Sequence, residues 1–213
     1  MERKSAAGNI RNKERSKMKF LEAVGKILKT KGYAGLKVNN IAEEAGVDKK
    51  MIYTYFGGLD GLIDEYIRMQ DYWSRVTAEE VAKIMPTGED DEEWKLFTKQ
   101  ILMSQFDYVY SSEEAQKLLL WRLSEPRASL AKLTATQEEN GEHLFKLIDY
   151  KYTEYEKEFR SIMAIMVSGL YYLNMFASVN GSLFCGIDVD TEEGREKIKE
   201  AISFMVDQSY TKL

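Results

Sequence analysis

The sequence predicts an all-α protein, with a three-helix N-terminal domain built on a helix-turn-helix and a larger helical domain behind it. Three observations carry that expectation. Apolar residues recur at spacings of three and four along most of the chain, and no stretch alternates with period two over a strand's length. Only 2 prolines interrupt 213 residues rich in Ala, Leu, Glu, Lys and Met, which cost little in a helix. Between Val38 and Phe56, two short apolar stripes meet at a glycine, as in two helices joined by a tight turn.

Met1 to Asn12 mixes charge with Ser, Ala, Gly and Asn without an apolar period, so it reads as a flexible arm whose Arg3, Lys4 and Arg11, with Lys13 just beyond, suit a phosphate backbone. Arg15 to Lys31 reads as the first helix, buried along Phe20, Leu21, Val24, Ile27 and Leu28 and ended by Gly32. Gly25 in its interior costs about 1 kcal/mol against Ala, which close packing would explain. Val38, Ile41, Ala42 and Ala45 form the stripe of the second helix, which Gly46 can end in the left-handed conformation. Asp48 is placed to accept the open amides of a third helix. There Ile52 and Phe56 point inward, while Lys50, Met51, Thr54 and Tyr55 take the other face, flanked by Lys49 and Tyr53. Lysines, a hydroxyl and phenols beside a helix N-terminus suit a polyanion.

The run Gly32-Tyr33, Val38, Ile41-Ala42, Ala45-Gly46-Val47, Ile52-Tyr53-Thr54-Tyr55-Phe56 and Leu62 resembles the N-terminal domain of the TetR family of bacterial transcriptional regulators. The likeness spans roughly Arg15 to Ile63. It implies a DNA-binding domain over residues 1–58 and a ligand-binding and dimerisation domain over 59–213. It also implies a double-stranded DNA operator contacted by Lys37, Asn39, Lys49, Lys50, Met51, Tyr53, Thr54 and Tyr55. The sequence departs from the family's pattern at three places. Lys37 stands where a Thr or Ser cap is usual, Lys50-Met51 replaces a frequent Gly and small hydroxyl residue, and Gly57-Gly58-Leu59 replaces a small polar and lysine run.

In the second domain, Asp60 to Met85 reads as a long helix that Asp60 can cap, with Leu62, Ile63, Tyr66, Met69, Trp73 and Val76 at helical spacing. The acidic run after Pro86 reads as solvated helix-start charge, and Trp94 to Tyr110 as the helix it opens. Ser111 to Glu114 has capping-box spacing for a helix through Leu123. Pro126 fits the first turn of a further helix that runs past Tyr150. Phe159 to Leu183 and a last helix to Ser209, capped within Asp190 to Glu193, would pair with their symmetry mates in a four-helix bundle, the homodimer the resemblance also implies. Aromatic residues of the body suggest a pocket for a small, largely apolar effector, with Trp121, Tyr171, Tyr172 and Asn174 as candidate ligand-binding residues.

Charge is divided along the chain. Residues 1–55 carry 13 Lys and Arg against 6 Asp and Glu, a balance of +7, and the remaining residues 17 against 29, a balance of −12. A basic head on an acidic body fits nucleic-acid binding by the head alone. The acidic total leaves a ligand-binding dimer without DNA as the alternative. Catalysis, metal and cofactors find no support: His143 is the only histidine, no phosphate loop or zinc spacing occurs, and Cys185, the only cysteine, reads as a buried inert thiol. Without an intrachain disulfide or the apolar core of a signal peptide, the expected location is the cytoplasm. Ser161 to Ile187 contains no charged residue, but its Ser, Gly and Asn residues favour a buried or interface helix over a membrane span.

Overall fold

The protein is described here by a computed structural model over residues 3–70, 84–88, 90–148 and 155–212. It is all-α. The head consists of α1 (Arg3–Lys31), a 3-10 turn (Tyr33–Gly35), α2 (Val38–Ala45), α3 (Lys50–Phe56) and α4 (Leu59–Gln70). The body adds α5 (Asp91–Ser111), α6 (Glu113–Ser124), α7 (Ala128–Ile148), α8 (Glu156–Asn180) and α9 (Glu192–Lys212). A two-residue hairpin, β1 (Leu183–Phe184) with β2 (Ile187–Asp188), joins α8 to α9.

Several boundaries differ from the sequence reading. The first helix starts at Arg3, so the segment expected as an arm is helical. Its Ala, Lys, Arg and Glu residues are good helix formers, and extending an existing helix adds one hydrogen bond per residue fixed. The carbonyl of Gly58, not Asp60, opens α4, accepting the Leu62 N–H at 3.2 Å. Asp60 instead pairs with Arg127 of the body. Pro126 lies ahead of α7 because Arg127 provides the first accepting carbonyl, bonded by the Ala131 N–H at 2.9 Å. Helix α8 stops at Asn180, before Gly181 at φ 95°, and the following residues form the hairpin that the period-two search was too coarse to find. The expected continuation of α4 beyond Gln70, including Trp73, and of α7 to Tyr150 lies outside the described residues.

Three helix starts follow the capping chemistry. Asp90 accepts the Glu92 N–H at 2.9 Å, Ser112 the Ala115 N–H at 3.2 Å and Thr191 the Gly194 N–H at 3.0 Å, so three orphan amides are satisfied by side chains.

Two apolar cores result. The first gathers Phe20, Val24, Ile27, Ile41, Ile52 and Leu62 of the head together with Leu118, Trp121, Leu130 and Leu133 of α6 and α7. The second lies among α5, α8 and α9, around Phe106, Phe159, Ile202 and Val206. Two glycines set the head's geometry. A Cβ on Gly25 would sit 3.0 Å from the Tyr66 hydroxyl, which explains that glycine as the point where α1 and α4 approach. A Cβ on Gly61 would sit 1.9 Å from the Phe56 carbonyl oxygen, so α4 can follow α3 this closely only without a side chain there.

Gly61→Ala is accordingly expected to cost about 3 kcal/mol or more in urea unfolding, since backbone must move. Gly141→Ala, in the interior of α7 with nothing within 4 Å of the new methyl, should instead stabilise by about 0.5–1 kcal/mol.

Candidate functional site

The turn between α2 and α3 is built from backbone hydrogen bonds and one carboxylate. Gly46 ends α2 at φ 61°, ψ 37°; its N–H bonds the Glu43 carbonyl at 3.2 Å and the Val47 N–H bonds the Ala42 carbonyl at 3.2 Å. These two bonds are the Schellman pattern, and they fix the direction in which the chain leaves α2. Asp48 then accepts the Lys50 N–H at 2.8 Å, while its own carbonyl accepts the Met51 N–H at 2.9 Å, which starts α3. Ile52, fully buried, anchors α3 in the head core. Lys37, as its residue type implies, provides no side-chain cap to α2. Asn40 Nδ2 donates to the Gly35 carbonyl at 2.9 Å, and Lys26 of α1 pairs with Glu44 at 2.5 Å, holding α2 on α1.

Lys37, Asn39, Lys49, Lys50, Tyr53 and Thr54 are all exposed. Lys49 Nζ donates to Asn39 Oδ1 at 3.2 Å, so the start of α3 and the first turn of α2 present one continuous polar surface. Tyr53 is 59% exposed, the most accessible phenol of the helix pair. Met51 and Tyr55, expected on the same face, are half-buried against the head core. In a helix of this period they lie about 100° from Ile52 and Phe56, so the apolar stripe is wider than those two residues. Tyr55 lies beneath α1, with Lys13 Nζ 5.7 Å from its ring centroid, and Lys17 stands 5.9 Å from the Phe56 ring. Basic residues of α1 thus lie beside the far end of α3. The two lysines and the phenol on this surface can bind phosphate and reach a base edge.

In the body, a cavity of about 320 Å³ opens among α5, α6, α7 and α8. Of the four residues expected to contact a ligand, Tyr171 lines it. Trp121 is buried elsewhere. It stacks on Tyr33 of the head with centroids 5.5 Å apart, its Nε1 donates to Glu125 at 2.7 Å, and the Arg127 guanidinium lies 5.3 Å from its ring. Asn174 ties α8 to α5, Nδ2 donating to the Phe106 carbonyl at 3.3 Å as well as to Leu170 within its own helix at 3.0 Å. Tyr172 is half-exposed beside Phe176 and Phe184. Helical period identifies a face but not which neighbour covers it, and that is why these three went elsewhere. The sequence reading did not single out Gln105, Arg122 and Gln137, which all line the cavity. The signal available was a glutamine inside an apolar stripe, between Leu102 and Val109.

Further contacts join head to body. Lys29 pairs with Glu114 at 2.7 Å, and that hydrogen bond, aided by the charges of Glu114 and Glu113, holds the Lys29 amine above its usual pKa range. Among the described residues, no cluster of His, Cys, Asp or Glu is arranged to hold a metal ion. His143 is exposed. Cys185 is also exposed, at φ 51° in the hairpin turn, contrary to the buried thiol expected, because α8 ends before reaching it.

A helix-turn-helix is the arrangement by which a second helix can be laid in the major groove of DNA. Residues 20–66 match the family model of "Bacterial regulatory proteins, tetR family". That match lies within the head, whose helix-turn-helix is therefore of the tetR type. The chain's fold is similar to that of NalD from Pseudomonas aeruginosa, described as the secondary repressor of the MexAB-OprM multidrug efflux pump. That match has 16% identity over 90% of this chain and 95% of NalD, with a TM-score of 0.61. It is also similar to a proposed fatty acid metabolism regulator of Clostridium perfringens, with 17% identity over 90% of this chain and 97% of the other, and a TM-score of 0.60. Among curated proteins none matches the chain significantly.

A double-mutant cycle on Tyr33→Leu and Trp121→Leu, read by chemical unfolding, should return a coupling of about 0.5–1.5 kcal/mol between head and body. A coupling near zero would mean that the two rings are neighbours without mutual dependence.

Proposed function

We propose that the chain is a homodimeric, cytoplasmic repressor that binds a short palindromic operator and releases it when a small, largely apolar molecule enters the body cavity. The observation that carries the DNA part is the exposed surface made by Lys37 and Asn39 of the α2 start with Lys49, Lys50, Tyr53 and Thr54 of α3. Lysines there would contribute phosphate attraction, and Tyr53 and Thr54 would lie nearest the bases, with Met51 and Tyr55 shaping the helix from behind. In functional terms the division at 58/59 separates the DNA-reading part from the part that senses and dimerises.

Dimerisation is supported by the surface of α8 and α9. Helix α8 is, among the described residues, the one helix long and apolar enough to cross a membrane, yet only 28% of its most apolar stretch is buried. Ile165, Tyr172 and Val179, seven residues apart on α8, are exposed, as are Phe204 and Met205 on α9. With Ser161, Ala164, Ser168 and Gly169 between them, these side chains suit close packing against a second copy rather than lipid. Two heads held this way would present their α3 helices about 34 Å apart, one turn of duplex. The repressor sense is favoured by NalD, which is described as a repressor. Release by ligand requires that the effector favour a body arrangement in which the heads no longer match the operator.

The test is fluorescence anisotropy of the purified protein on duplexes tiled from its own upstream region, with a scrambled control, over a salt series. Preference for one near-palindromic tile is expected, and Lys49→Ala or Lys50→Ala should each lower the salt slope by about one unit. Equal weak binding to every tile by folded dimer would contradict operator binding and favour a DNA-independent ligand-binding dimer. In sedimentation velocity, Ile165→Glu with Phe204→Glu should convert a dimer to monomer; an unchanged dimer would place the interface elsewhere.

A further inference from the structure

The body cavity has a neighbour. A second, smaller cavity of about 40 Å³ is bordered by Leu118 and Leu133, which belong to the core shared with the head. Gln105 of α5 lines both cavities, so its side chain stands where they meet. It is 5% exposed, and its Oε1 is buried without a hydrogen-bond partner among the described residues. A buried carboxamide oxygen left unmatched is unfavourable, and such a group in a folded protein calls for a partner that the chain itself does not supply. Asn174 Oδ1 is in the same state, but the Asn174 amide already makes two bonds, to the Phe106 and Leu170 carbonyls, and lines neither cavity.

The other polar groups of the larger cavity are engaged by the chain or by water. Arg122 Nη1 donates to Gln137 Oε1 at 2.7 Å, and Arg160 is held by Glu142 at 2.6 and 3.3 Å and by Glu156 at 3.1 Å. Glu138, the third charged residue of the lining, is exposed. Thr98 and Ser168 turn their hydroxyls to the Trp94 and Ala164 carbonyls of their own helices, at 2.9 and 2.7 Å. A charged head group entering here would give up its hydration for contact with groups already engaged, whereas an uncharged one gives up less. The greater part of the remaining wall is apolar, with Phe97, Ile101, Leu144, Phe145, Met163 and Val167, and suits a hydrocarbon chain.

We propose that this cavity binds an uncharged amphiphile carrying a hydroxyl, with the hydroxyl on the Gln105 carboxamide and the hydrocarbon chain among the apolar side chains of α5, α7 and α8. The proposal rests on the reading of the body as an effector site and names the effector's chemical class. Rotation about the last side-chain bond lets the carboxamide offer either its oxygen or its N–H. A hydroxyl both donates and accepts, so it answers Gln105 in either orientation. An ether only accepts and leaves the oxygen unmatched, and a carboxylate does the same while burying a charge. Binding of a hydroxyl ends the unmatched state of Gln105, so the ligand supplies stability that the free protein lacks. The site adjoins the smaller cavity, whose Leu118 and Leu133 pack in the core that holds the head.

The experiment is calorimetric titration of the full chain with octan-1-ol, its ether isomer 1-methoxyheptane, octanoate and octylamine, run alongside anisotropy on operator DNA. Octan-1-ol should bind more tightly than each of the other three, by about 5-fold, as expected for one hydrogen bond gained at a buried group. Gln105→Met, of similar shape but without the carboxamide, should remove the difference between octan-1-ol and 1-methoxyheptane and raise the melting temperature of the free protein. A lowered melting temperature in that variant would mean that Gln105 is already matched in the free protein, against the proposal. Equal or tighter binding of the ether, octanoate or octylamine to the unmodified protein, or no binding of octan-1-ol, would overturn the proposal without depending on a variant. If octanoate or octylamine binds more tightly and releases operator, the effector reading stands and the hydroxyl assignment falls. If octan-1-ol binds as described and operator affinity is unchanged, the hydroxyl site stands and the release reading falls.

Discussion

The apolar core that runs from the head into α6 and α7 is the constraint on which the rest of the molecule depends. Helix α3 has only seven residues, too short to be stable alone, and its one fully buried side chain is Ile52. Its orientation is therefore set by the core that Ile52 joins, which gathers Phe20, Val24 and Leu62 together with Leu118, Trp121, Leu130 and Leu133. Polar contacts follow the same seam. Tyr33 stacks on Trp121, Lys29 meets Glu114, and Arg127 meets Asp60. Surface ion pairs of this kind contribute little energy, but the burial of Trp121, Leu118, Leu130 and Leu133 at the seam is a substantial cost to undo. A change in the packing of α6 or α7 is thereby felt where α3 is anchored.

The body leaves space beside those two helices. Its own core, around Phe106, Phe159 and Val206, is tight and apolar, whereas the space toward α6 and α7 is left open and is bordered by polar groups. A protein that needed stability alone would place an aliphatic residue at 105. The glutamine there, buried with its Oε1 unpartnered, forgoes that stability.

Much of the head was legible in the sequence because its determinants are local. Gly46 at a left-handed helix end and Asp48 accepting an amide two residues on are properties of a few consecutive residues, and both read correctly. The same locality explains Ser112, Asp90 and Thr191. What the sequence did not disclose was partnership over distance. Trp121 and Asn174 lie on buried faces, as their spacing implies, while the stacking of one on Tyr33 and the bond of the other to the Phe106 carbonyl join elements far apart in the chain. Gly25 and Gly61 are needed for a hydroxyl and a carbonyl contributed by other helices, which no local rule reveals. The width of the apolar stripe on α3, which draws in Met51 and Tyr55, likewise depends on how closely α1 lies behind it.

Native-state hydrogen exchange across the chain tests the shared core most directly. Amides of α2 and α3 should open with the same free energy and denaturant dependence as those of α6 between Leu118 and Trp121, as one cooperative unit. Exchange of α2 and α3 through an opening of clearly lower free energy, with α6 still protected, would contradict the claim that the body holds the recognition helix in place.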